Sequence, residues 1–204
     1  MIRRLLIILV SVALLAAAII GGLWYGARWM TKPADPVTIA AASLQAVREQ
    51  NRLVPFAARF VAVVTSTQSR FGFSAKKTLI MPGMVRYEID LAALQQDDLN
   101  WNAATNTLAI TLPAVQIAGP EVDLKNIREY GEGGVLMALT NTEAELDTAN
   151  RNAGQAELLR QAREPLPMKL ARDAARNAIE RSFVMPLRAA GIDAKVTARF
   201  EGES

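Results

Sequence analysis

Residues 5–24, LLIILVSVALLAAAIIGGLW, form an uninterrupted apolar run behind Arg3 and Arg4, and no other stretch limits the fold so tightly. At about 1.5 Å of rise per residue, this run matches the roughly 30 Å hydrocarbon core of a bilayer. The sequence therefore predicts a transmembrane signal-anchor over residues 1–30, a linker over 31–37 and an extracytoplasmic domain over 38–204. Arginines just ahead of the run favour a cytoplasmic N-terminus, against the weaker pull of Arg28 and Lys32 on the far side. The expected location is a single pass through the inner (cytoplasmic) membrane, with the domain in the periplasm or outside. Trp24, Tyr25 and Trp29 stand where an interfacial aromatic belt belongs. The competing reading is a cleaved signal peptide with Ala16-Ala17-Ala18 as its A-x-A site; Ile19 and Ile20 carry the apolar run past that point. Ala18, Gly22 and Gly26 recur every four residues, a small-residue stripe through which two anchors could approach.

Charge is distributed unevenly about this run. Residues 1–32 hold Arg3, Arg4, Arg28 and Lys32 and no acid, leaving 19 bases against 20 acids in the rest. The basic character belongs to the anchor, so no nucleic-acid partner is expected. Zero cysteines exclude disulfides and thiolate chemistry, and zero histidines remove the usual general base and the commonest metal ligand. A Ser-His-Asp triad or a His-based zinc centre cannot be assembled.

Beyond the TKPADPV linker, Thr38 caps a predicted helix running to about Leu53, with Ile39, Ala42, Ala46 and Leu53 as its apolar face and Pro55 as its end. Phe56 to Thr65 is predicted as a buried strand, Ser66 to Arg70 as a polar break, Phe71 to Met81 as a second strand, and Pro82-Gly83 as a turn. Val85, Tyr87, Ile89 and Leu91 then alternate with Met84, Arg86, Glu88 and Asp90, the pattern of a strand wet on one side. Leu99 to Asn102 and Thr107 to Leu112 suggest a hairpin closed by Pro113, with a short strand near Val115 to Ala118 and a turn at Gly131 to Gly134.

Thr140 or Thr142, each followed three residues later by a glutamate, opens a helix to Arg163 whose stripe is Leu146, Ala149, Ala153, Ala156 and Leu158 or Leu159. Pro165 and Pro167 interrupt it. A second helix is expected over Met168 to Ala190, with Ala171, Ala175, Ile179, Phe183 and Leu187 as a docking face and Pro186 kinking or ending it early. Gly191 stops it, and Val196, Ala198 and Phe200 face inward on a closing strand. The order predicts an α+β fold: one largely antiparallel sheet with long C-terminal helices packed on it.

The block from Lys76 to Asp123, KKTLIMPGMVRYEIDLAALQQDDLNWNAATNTLAITLPAVQIAGPEVD, resembles the core of domain-of-unknown-function family 4230, bacterial envelope proteins with one N-terminal anchor. Pro82-Gly83, Ile89-Asp90-Leu91, Leu112-Pro113 and Glu121-Val122-Asp123 carry the resemblance, and the alanine-rich helix with Gly191 and the last strand extends it over residues 40 to 201. It implies no activity, cofactor or site residue.

Three motifs are weak by themselves. Ser74-Ala75-Lys76-Lys77 satisfies S-x-x-K without the companion elements of a serine-lysine enzyme. Asp97-Asp98 with Asp90 and Asp123 could gather hard oxygens for a cation, but no D-x-D-x-D-G loop supports it. Arg160, Arg163, Lys169, Arg172, Arg176, Arg181 and Arg188 could face lipid headgroups, while Lys169 to Asp173 and Arg176 to Glu180 have the spacing of a solvated helix's own ion pairs. No catalytic, cofactor-binding or metal-ligating residue is therefore assigned, and no cofactor is expected. The expected function is a non-catalytic binding or assembly module whose partners are the bilayer, through residues 5–24, and a protein or a second copy. The alternatives are a carboxylate-dependent, membrane-proximal hydrolase and a lipid or small-molecule binder with an apolar pocket between sheet and helices.

Overall fold

The computed structural model describes residues 14–23, 25, 35–132 and 134–203, and the chain divides into two units, Met1–Asp35 and Pro36–Ser204. In the first unit, residues 14–23 are helical, with Leu14, Leu15, Ile19, Ile20 and Leu23 exposed. Among the described residues no helix is long and apolar enough to cross a membrane. Residues 5–13 and 24 of the predicted span lie outside the described residues, as do Gly26, Trp29 and the linker up to residue 34.

The second unit is α+β, built on a long hairpin. Strands β1 (Arg52–Arg70) and β2 (Phe73–Asp90) pair antiparallel around the two-residue turn Phe71-Gly72, whose φ angles are 53° and 78°. Positive φ at both central residues is the hairpin turn that matches strand twist, and Gly72 adopts it without steric cost. This replaces the expected break at 66–70: Thr65, Thr67 and Ser69 are polar because they point out from a strand that continues. Pro55 lies inside β1, at a register shift between Leu53 and Phe56, rather than ending a helix. β1 is an edge strand, where a missing donor leaves no ladder bond unmade. Helix α1 (Pro36–Arg48) accordingly stops earlier than expected.

Pro82-Gly83 is likewise no turn. Both residues sit mid-strand in β2, opposite Val61 and Phe60. Beyond β2, strand β5 (Gln116–Val122) pairs with its C-terminal half from Gly83 to Glu88, and β6 (Arg128–Glu132) with its N-terminal half from Lys76 to Ile80. Pro82 falls between the two ladders. Its carbonyl accepts from the Asp123 amide at 2.9 Å, so its donorless nitrogen faces the gap, where no partner waits. Gly83 is needed for room: a Cβ there would lie 2.8 Å from Leu158 Cδ1.

Strands β3 (Leu99–Asn102), β4 (Thr107–Leu112) and β7 (Lys195–Phe200) form a second sheet, ordered β3-β4-β7. The β3–β4 hairpin is as expected, but β7 runs parallel to β4. The single, largely antiparallel sheet of the sequence reading is thus two sheets, one closed by a parallel strand. After a short helix α2 (Gly134–Leu139), helix α3 (Thr142–Ala162) packs on β1 and β2, and α4 (Pro165–Ala189) packs on α1, β1 and β7.

Pro165 opens α4 at its first turn, where prolines are tolerated, and the helix runs through Pro186 without ending. Its predicted face, Ala171, Ala175, Ile179, Phe183 and Leu187, is its buried face. On α3 the buried face is Thr142, Leu146, Asn150, Gly154, Leu158 and Ala162, a stripe spaced by four that shares only Leu146 and Leu158 with the expected one. Sixteen buried apolar residues, from α1, α4, the second sheet and the end of β2 with the turn after it (Ile89, Leu91 and Leu94), form one cluster, whereas the clusters under the β1–β2 hairpin hold three or four each.

Candidate functional site

Strand β2 alternates strictly, so Ala75, Lys77, Leu79 and Met81 all point toward α3. A lysine in that row meets a nearly closed surface and is 7% exposed. An isolated buried ammonium is costly, and the neighbouring elements supply counter-charges. Glu129 on β6 lies 2.9 Å from Lys77 Nζ, Glu143 on α3 lies 3.6 Å away, and Asp147, one turn further along α3, is in direct contact with it. Asp147 Oδ1 is buried, and that ammonium is what it faces. Burial works to lower the Lys77 pKa, but hydrogen bonds and charges from Asp147 and Glu129 outweigh it and push it up to about 12. The next buried position on α3, Asn150, donates from Nδ2 to the Lys77 carbonyl at 2.9 Å. Among the described residues its Oδ1 has no partner.

One helical edge continues this cluster. Glu143, Asp147, Arg151 and Gln155 recur every four residues along α3 beside its buried stripe. The first two hold Lys77; the last two line a groove of about 560 Å³. Met81 of β2 lies at its base, where Gly154 lets the thioether approach α3: a Cβ on Gly154 would be 3.1 Å from the sulfur. Val122 at the end of β5, with Leu124 and Ile127 in the β5–β6 connection, forms the apolar wall, and Glu129 completes the lining. Leu124 is 76% exposed, an apolar side chain at the lip. Among the described residues the Arg151 side chain makes no ion pair or hydrogen bond, so the groove carries one acid paired with Lys77 and one uncommitted guanidinium.

The residues singled out by the sequence fall elsewhere. Ser74 and Lys77, three apart on a strand, are on opposite faces, so the S-x-x-K pair does not form. Asp90 Oδ1 accepts from the Ala92 amide at 3.1 Å, Asp98 Oδ2 from the Gln95 amide at 2.8 Å, and Asp123 pairs with Arg59 at 2.7 Å. Among the described residues, no three acids are arranged to hold a metal ion.

Of the basic helix residues, Arg160 binds Glu157 and Glu164, Lys169 binds Asp173, and Arg176 binds Asp173 and Glu203. The Arg176 to Glu180 pair expected from spacing is absent because Glu180 accepts from the Ala198 amide of β7 at 2.9 Å. The Lys77 cluster was missed because its members come from three elements; the i, i+4 row on α3 was the available signal.

Residues 45–198 match the family described as Protein of unknown function (DUF4230), and this chain belongs to that family. No curated protein and no solved structure matches it.

Proposed function

We propose that the chain is a membrane-anchored, extracytoplasmic binding module rather than a catalyst. The observation that carries this reading is the groove: four of its seven lining residues are apolar, and its one lining acid, Glu129, is ion-paired with Lys77. A carboxylate hydrolase needs an acid of raised pKa opposite a second acid across a cleft. Here the carboxyls that their surroundings displace move downward: Asp123 through Asn126, Glu157 through Arg160, Asp173 through Lys169 and Glu203 through Arg176. The anchor is supported by residues 14–23, an apolar helical stretch whose leucines and isoleucines are exposed and suit lipid better than water.

Because the chain has no cysteine, Ser74→Cys introduces a unique thiol on an exposed strand end. A membrane-impermeant maleimide is expected to label it on intact cells, and labelling only after lysis overturns the extracytoplasmic placement. Turnover of ester, phosphoester or glycoside probes by the full chain, abolished by Glu129→Gln, overturns the non-catalytic reading.

A further inference from the structure

The geometry points to an aliphatic anion, a hydrocarbon chain ending in a carboxylate or phosphate, as the ligand of the groove between α3 and the β5–β6 connection. This deepens the binding-module reading and rests on it. The volume of about 560 Å³ lies within the roughly 300–1,000 Å³ of small-ligand sites. Val122, Leu124 and Ile127, above the buried Met81, line it with hydrocarbon, and the exposed Leu124 gains most when covered.

Charge selects the head group. Glu129 already gives one oxygen to the Lys77 ammonium at 2.9 Å, which weakens its pull on an incoming amine. Glu143 and Asp147 face the same lysine. Among the described residues the Arg151 guanidinium makes no ion pair, although Glu129 lines the same groove, and its planar fork of donors matches a carboxylate or phosphate. Gln155, one turn on and also without a hydrogen bond, offers an amide donor beside it.

The test uses the full chain in nanodiscs and an octanoate bearing a diazirine, photolysed and mapped by peptide mass. Labels are expected on the segments 122–127 and 151–155. Octanoate and octyl phosphate should compete, and octylammonium should not. Arg151→Gln, at an exposed position without partners, should weaken competition by octanoate about tenfold with unfolding unchanged, the scale of a lost charge-assisted bond. Leu124→Ser should weaken labelling in the same direction.

Nanodiscs of neutral and of acidic lipid separate the sources. Suppression by acidic lipid alone assigns the head group to a membrane lipid; equal labelling in both assigns it to a free acid. Labels confined to other segments, equal competition by octylammonium, no specific labelling, or an unchanged Arg151→Gln protein each overturn the assignment. Specific labelling at a different segment leaves the binding-module reading standing. Chemical conversion of the recovered probe sinks that reading while leaving the groove in place.

Discussion

The two halves of the domain are held together differently. Around β3, β4 and β7, sixteen buried side chains, nearly all aliphatic, join α1 and α4 into one core. Under the β1–β2 hairpin the apolar clusters are small, and polar contacts bridge them: Lys77 with its three acids, Asn150 on a β2 carbonyl, and Tyr87, whose hydroxyl donates to the Ala162 carbonyl at 2.8 Å. Apolar burial tolerates small displacements, whereas a buried charge fails when one partner is removed. The groove beside α3 lies in the half held by charge, and one of about 550 Å³, lined by Leu44, Gln45 and Arg48 of α1, lies against the large core.

Four measurements break or sharpen this contrast, each an unfolding curve of the full chain. Phe183→Ala, at the centre of the large cluster and fully buried, is expected to cost about 3–5 kcal/mol. A loss below that of the hairpin variants would invert the comparison. Lys77→Met should cost about 3 kcal/mol at neutral pH, because Asp147 and Glu129 are left facing each other without a cation. It also has a pH signature. The Lys77 pKa is raised from 10.5 to about 12, so its contribution is complete below 10.5 and disappears as pH rises through 12. The variant should lack that alkaline decline, and a variant that keeps it refutes the role given to the lysine.

Gly83→Ala should cost about 1–3 kcal/mol, since a methyl 2.8 Å from Leu158 Cδ1 forces that fully buried leucine to repack. An unchanged midpoint would mean that Leu158 has room to turn aside. The smallest effect lies at acid pH. The Glu157 carboxyl is held down to about 2, chiefly by the Arg160 hydrogen bond, so its stabilisation is present above its ordinary 4.5 and lost as pH falls toward 2. That pair is exposed, and added salt should flatten the effect in wild type and abolish the difference from Arg160→Gln.

The same division separates what the sequence discloses from what it conceals. The α4 face and the inward residues of β4 and β7 were legible because they are apolar and strictly periodic. On α3 the period is equally strict, but Asn150 and Gly154 hold two of its places for reasons local to β2: one satisfies a carbonyl, the other makes room for Met81. A hydrophobicity count cannot see either. Proline misled twice, at Pro55 and Pro82, because each occupies a strand position whose donor has no partner, a fact set by neighbouring strands rather than by local sequence. Of the groove, Val122 through Ile127 showed nothing periodic, and Arg151 was one basic residue among many. Its distinction is that, among the described residues, it makes no ion pair, because Asp147 and Glu129 nearby are held by Lys77.

The parallel pairing of β7 with β4 has a consequence for biogenesis. During synthesis the β3–β4 hairpin emerges with the β4 margin bare and waits for residues 195–200, more than eighty positions later, to cover it. Until then Leu108, Ile110 and Leu112 lack the row formed by Val196, Ala198 and Phe200. A ribosome that stalls before residue 195, or a protease that clips there, leaves a half-sheet with its apolar row uncovered.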